Sequence, residues 1–213
     1  MAYFTNRRQA GRKLAGELQK YKGRDNVVVL GLPRGGVPVA YEVAEELEAY
    51  LDVFVVRKLG VPTHPELAMG AIASGGVKVT NDNVIQQTGV SEEQIDDVVR
   101  EEKQELEERE KLYRGSRPEI DLEGKTVILV DDGMATGASM RAAVNALKEH
   151  NPQKIIIAVP TAPKDSCEVF RSIVDEMVCL QTPTPFWGVG GSYQDFSQTT
   201  NQEVRELLEK SEV

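Results

Sequence analysis

Cysteine and histidine are scarce in this chain: two cysteines and two histidines in 213 residues. Cys167 and Cys179, with only His64 and His150 beside them, can build neither a zinc quartet nor a disulfide framework. They read as reduced, mostly buried thiols of a cytoplasmic protein. Long apolar runs are missing too. Nothing approaches the roughly 20 residues that cross a bilayer, and the N-terminal stretch lacks the apolar centre of a signal peptide. Positive charge is in deficit, with 25 basic against 34 acidic residues and a formal net charge of −9. A non-specific grip on nucleic acid, which works by neutralising phosphates, is therefore excluded as a primary role. Local sites for small anions are not.

What is present is an alternation of short β-branched runs with helical periods. Asn6 is placed to cap a helix reaching about Tyr21 and closed by Gly23. Asn26 to Leu30 is a strand entering the turn Gly31–Gly36 (GLPRGG), Val37 to Tyr50 is helical, and Asp52 to Arg57 is a second strand. The stretch 58–118 interrupts the pattern with a loop bearing prolines and glycines. Short strands are expected within it around Ala71–Ala73 and Val77–Thr80, followed by a charged helix from Ser91 to Arg114. Its narrow apolar stripe, Ile95, Val98, Val99, Leu106 and Tyr113, suits a docked helix or the contact of a homodimer. Alternation resumes with strand Thr126–Val130, helix Gly137–Glu149, strand Lys154–Val159, helix Lys164–Ile173 and strand Glu176–Leu180. A tail, 181–198, rich in proline, glycine and aromatics, precedes a helix capped by Asn201. The expectation is one α/β domain over 1–213, a doubly wound, mostly parallel sheet flanked by helices.

The chemistry concentrates in Val127 to Ser139, VILVDDGMATGAS. An apolar strand delivers two adjacent carboxylates, Asp131 and Asp132, at the sheet edge where open α/β folds collect ligands. The turn that follows, Gly133 to Gly137, opens a helix whose free N–H groups and dipole make an anion site. Gly137 permits close approach, and Thr136 and Ser139 add hydroxyl donors. The acids repel the same anion, so their partners are nearby hydroxyls or a metal bound by them. A sugar phosphate meets both requirements, with its phosphate in the turn and its diol on the acids. A phosphatase would instead want a nucleophilic aspartate with a second acid two residues on; here Gly133 follows the pair.

Strand, two acids and a small-residue loop containing Thr-Gly resemble the signature of type I phosphoribosyltransferases, and within that family the GLPRGG turn, the RKLG segment and the aromatic tail are similar to members of unassigned acceptor. The resemblance implies a fold with an inserted mobile loop and a small C-terminal hood. Its implied substrates are 5-phosphoribosyl-1-pyrophosphate and a small nitrogenous acceptor, such as a nucleobase. Asp131 and Asp132 would oppose the positive charge of the transition state, and Met134, Ala135, Thr136, Gly137, Ala138 and Ser139 would hold the 5-phosphate. Pro33, Arg34, Gly35 and Gly36, around a non-proline cis peptide, would hold the pyrophosphate with Arg57 and Lys58 at the end of the second strand. Magnesium would be carried by substrate oxygens and water near Asp131 and Asp132 rather than by a protein cage. Leu59 to Gly76 stands where the family's mobile loop lies, with His64 exposed in it. Phe186, Trp187, Val189 and Tyr193 in 183–196 would form the hood over the acceptor; as plain aromatics they serve equally to pin the tail to the core. The same ligand site could also serve a non-catalytic sugar-phosphate sensor.

Overall fold

The computed structural model describes residues 2–211. Asn6 caps α1 (Arg7–Glu17), its side chain accepting from the Gln9 N–H at 3.0 Å. A 3-10 turn over Gln19–Tyr21 and Gly23 at φ 66° then lead into β1 (Val27–Gly31). After α2 (Gly36–Leu47) and β2 (Tyr50–Val53), the chain builds a three-stranded antiparallel sheet. Its strands are β3 (Val56–Val61), β4 (His64–Ala73) and β5 (Val77–Thr80). Helices α3 (Asp82–Thr88) and α4 (Glu92–Arg114) follow, the latter opened by a Ser91–Gln94 capping box. The parallel sheet resumes with β6 (Thr126–Val130), α5 (Ala138–Glu149), β7 (Lys154–Thr161), α6 (Lys164–Arg171) and β8 (Glu176–Gln181), and α7 (Asn201–Lys210) is the last helix. Strand order is β2-β1-β6-β7-β8, all parallel.

Strand side chains alternate between two cores, as a period of two requires. Val27, Val29, Ile128, Val130, Ile156 and Ala158 face the layer of α1, α2, α4 and α7. Val28, Leu30, Val127, Leu129, Ile155 and Ile157 face the layer of α5 and α6. Every residue of β1 and β6 is buried, the signature of parallel strands covered on both sides. No helix among the described residues is long and apolar enough to cross a membrane. Cys167 is buried and Cys179 half-buried; both are free thiols, and the Cys179 thiol donates to the Gln181 carbonyl at 3.3 Å.

Three expectations are corrected. The run Asp52–Arg57 is not one strand: the Phe54 N–H makes the last bond to β1, at the Gly31 carbonyl at 3.1 Å, and the next N–H, that of Val55, is diverted to Ser74 Oγ at 2.9 Å, so β2 ends at Val53. The chain thereby leaves the parallel sheet, and Arg57 and Lys58 fall on β3 instead of at the edge of β2. The loop expected over Leu59–Gly76 is largely the β3–β4 hairpin, with His64 exposed at its tip and bonded to Thr63. Thr200, not Asn201, caps α7, accepting from the Glu203 N–H at 3.0 Å, while Asn201 receives the Tyr113 hydroxyl at 3.2 Å. On α4, Ile95, Leu106 and Tyr113 are buried and Val98 and Val99 partly so, which places the apolar stripe in the core of this same chain.

Candidate active site

β6 ends in the acid pair at the carboxyl edge of the sheet. The Asp131 carboxylate turns back and accepts the Asp132 N–H through Oδ1 at 2.8 Å. Burial, and then the adjacent Asp132 carboxylate, hold the Asp131 carboxyl well above the usual range. Burial raises Asp132 as well, against the opposing pull of Arg7, whose Nε donates to Oδ2 at 2.8 Å. One carboxylate oxygen of each acid is thus engaged within the protein. Among the described residues no hydrogen bond reaches the other two, which leaves one oxygen on each acid for a ligand.

Past the acids, Gly133 and Met134 are buried, and the Met134 N–H is held by the Thr161 carbonyl at 2.9 Å. Ala135, Thr136, Ala138 and Ser139 are exposed around a hollow of about 200 Å³ lined by the loop from Asp131 to Met140. Gly137 takes φ 75° as the residue before α5, and a Cβ there would meet the Phe170 ring at 2.5 Å. Its lack of a side chain therefore serves packing on α6. The free N–H groups of the first turn of α5 open onto this hollow.

The turn after β1 lies directly against the acids. The Pro33–Arg34 peptide is cis. A Cβ on Gly35 would stand 2.0 Å from Asp132 Oδ2, and one on Gly36 would stand 2.7 Å from the Val130 carbonyl and 2.9 Å from Asp131 Cα. Both glycines are thus required by close approach to the acid pair, a constraint the motif alone did not reveal. Pro33 stays with this turn, but the Arg34 side chain lines a groove of about 470 Å³ with Arg109, Tyr113 and Asn201 between α4 and α7. Arg57 is bound to Glu102 of α4 at 2.6 Å, and Lys58 lies 3.6 Å from the exposed Glu66.

The tail after β8 folds over the same edge, anchored by the N-terminal residues. Tyr3 and Phe4 donate from their N–H groups to the Ser192 carbonyl, and Gln194 and Asp195 donate to Phe4 and Thr5. Phe4 and Tyr193 are buried and pack at 5.4 Å between ring centroids, and Tyr193 stacks on Phe196 at 5.0 Å. The Tyr193 hydroxyl donates to the Asp132 carbonyl, and burial followed by the Asp132 charge pushes its pKa up. Tyr193 therefore anchors the tail. Val189 presses on Gly133, where a Cβ would meet its methyl at 2.4 Å. Phe186 is half-buried, and Trp187 is 85% exposed beside a hollow of about 220 Å³ lined by Tyr3, Pro183, Pro185 and Ser192. The roles of Arg7 and of the N-terminal residues Tyr3 and Phe4 were missed in the sequence. One signal was available: Arg7 and Arg8 occupy the first turn of α1, where the helix dipole disfavours cations, so a partner elsewhere had to exist.

A sequence model of the phosphoribosyl transferase domain matches residues 3–195. The chain belongs to this phosphoribosyl transferase family. Among curated relatives it is 47% identical over 211 residues to the Mycobacterium tuberculosis protein named "Putative phosphoribosyl transferase Rv0571c", an alignment covering 99% of this chain and 47% of that protein. The chain thus spans about half the length of these relatives. A Clostridium novyi protein named "Bifunctional protein PyrR" is 29% identical over 143 residues, 67% of this chain and 61% of that one. Among solved structures, TT1426 from Thermus thermophilus superposes with a TM-score of 0.87 at 39% identity, covering 99% of each chain. The type I phosphoribosyltransferase fold expected from the sequence is therefore the fold of this chain.

Proposed function

We propose that the chain is a phosphoribosyltransferase that binds 5-phosphoribosyl-1-pyrophosphate and transfers its phosphoribosyl group to a nitrogen nucleophile, a nucleobase being the favoured class. The observation that carries this reading is the contact of the Leu32–Gly36 turn with the acid pair at the mouth of the 133–139 loop. Two anion-binding turns flank two carboxylates, as a substrate with phosphate at one end, pyrophosphate at the other and a diol between them requires. The main-chain donors of Ala135 to Ser139 and the hydroxyls of Thr136 and Ser139 take the 5-phosphate. The backbone of Pro33 to Gly36 takes the pyrophosphate. The acceptor enters beneath Val189 and Phe186.

In the reaction the acceptor nitrogen forms a bond to the anomeric carbon as the bond to pyrophosphate breaks, and the nitrogen's proton passes to solvent. Positive charge grows on the sugar, and the unengaged oxygens of Asp131 and Asp132 oppose it. Asp131 and Asp132 supply hard oxygen donors, and no cluster of three histidine, cysteine or acidic residues exists among the described residues. These residues fit magnesium shared with substrate oxygens, where it would balance charge on the leaving group. The test is release of pyrophosphate from the sugar pyrophosphate with magnesium across a panel of purine and pyrimidine bases. Base-dependent release supports the proposal. Binding of the sugar pyrophosphate without release by any base identifies a sensor instead.

A further inference from the structure

The ion pair between Arg7 and Asp132 joins the first helix to the acid pair across most of the chain. Arg7 and Asp132 side chains are 12% and 13% exposed, and the Nε–Oδ2 distance is 2.8 Å. The same guanidinium donates through Nη1 to the Ser197 carbonyl at 2.6 Å and stacks 3.9 Å above the Phe196 ring. Three elements distant in sequence therefore meet on one planar group: α1, the hood tail and the end of β6. A guanidinium can do this because its donors are fixed in a fork while its faces remain free for an aromatic ring.

Nothing in the packing of α1 demands an arginine here. Ala10, Leu14 and Ala15 bury the helix against the core without it, and Asn6 caps it. What the arginine fixes is a carboxylate. Asp132 Oδ2 sits in the space that a side chain on Gly35 would fill, and Arg7 holds it there, an orientation that leaves Oδ1 for a ligand. Asp131 is oriented by its own bond to the Asp132 N–H and feels Arg7 as a nearby charge.

We infer that Arg7 is a positioning residue of the acid pair: it aims the free oxygen of Asp132 at the sugar hydroxyls and locks the hood tail to that orientation, so the N-terminal segment completes the active site. The inference rests on the proposed binding of a ribose diol by Asp131 and Asp132. It separates Arg7 from the phosphate loop, whose donors it does not contact.

The test compares ribose 5-phosphate with 2-deoxyribose 5-phosphate by calorimetric titration of the wild type, Arg7→Gln and Arg7→Lys. Both ligands offer the same phosphate, and only the first offers the diol. The wild type is expected to prefer ribose 5-phosphate by about tenfold or more, the scale of a hydrogen bond to a charged group. Arg7→Gln should lose most of that preference while its affinity for 2-deoxyribose 5-phosphate stays within about twofold, because the phosphate loop is untouched. Arg7→Lys keeps the charge without the fork and should retain an intermediate preference. A full preference in both variants overturns the inference, as does an equal loss for the two ligands, which marks a purely structural role. Absence of any preference in the wild type overturns the diol reading itself, and the inference with it.

Discussion

The phosphate loop and the hood sit on the same sheet edge and are built by opposite means. The loop is one contiguous turn: its donors are main-chain N–H groups of the start of α5, and Phe170 and Met134 support it from beneath while Thr136 and Ser139 stay exposed. The hood is assembled from segments far apart in the chain, by hydrogen bonds between residues 3–5 and 192–195 and by the rings of Phe4, Tyr193 and Phe196 around Arg7. A site made of backbone tolerates replacement of its side chains. A site made of side chains from distant segments transmits each replacement to its neighbours, here to Asp132 through Arg7 and the Tyr193 hydroxyl.

The acid pair lies between these regions and should show the largest effect. Asp131→Asn or Asp132→Asn is expected to lower kcat by about a hundredfold or more, with KM changed only a few-fold, because the charge they oppose develops in the transition state. Steady-state pyrophosphate release measures it; a loss confined to KM would make them binding groups only. Asp131→Asn carries a second consequence. The folded-state pKa of Asp131 is raised, so ionising it opposes folding. That penalty is absent below the unfolded value of ~3.9, grows as pH rises through the folded value, and persists above it. The variant should therefore gain thermal stability at pH 8 and little at pH 4, so that activity falls as stability rises.

Next in size is the hood's anchor. Phe4 is 1% exposed, and Phe4→Ala should cost about 3 kcal/mol or more in urea unfolding. If the hood folded independently of the N-terminal residues, the cost would fall well below this and ligand preference would not change.

Thr136→Ala combined with Ser139→Ala sharpens the other side. Two exposed donors are lost and the main-chain donors remain, so phosphate affinity should fall by about tenfold without a change in stability beyond about 0.5 kcal/mol. Gly137 is unsuitable for this purpose, since a side chain there collides with Phe170 and adopts a strained φ. An unchanged affinity would move the phosphate out of the loop.

The smallest effect belongs to Trp187. At 85% exposure, Trp187→Phe should leave unfolding free energy within about 0.5 kcal/mol of wild type. A larger loss would mean that the tryptophan anchors the tail as Tyr193 does.

The same contrast decides what could be read from the sequence. The β6–loop–α5 unit was legible because strand, acids, turn and helix are consecutive, and so were β1, β7 and α4. The break after Val53 was not, since VFVV is continuously apolar and its interruption comes from Ser74, which lies elsewhere in the chain. Nor was the hood's second half: nothing local to Tyr3 and Phe4 announces pairing with Ser192 to Asp195. Arg34 stood in the expected turn, yet the direction of its side chain depended on the α4–α7 groove, which only tertiary structure creates. Gly35 and Gly36 were found as ligand-approach glycines and turned out also to be needed for contact with the acids.

The central claim is that the turn after β6 holds a sugar phosphate and the acid pair its diol. A crystal structure of the protein with 5-phosphoribosyl-1-pyrophosphate and magnesium tests it most directly. The account predicts the 5-phosphate on the main-chain donors of Ala135 to Ser139, the ribose hydroxyls on the free oxygens of Asp131 and Asp132, and the pyrophosphate against Pro33 to Gly36. A 5-phosphate seated instead in the Arg34–Arg109 groove, or a sugar with no hydroxyl within hydrogen-bonding distance of either aspartate, would contradict it.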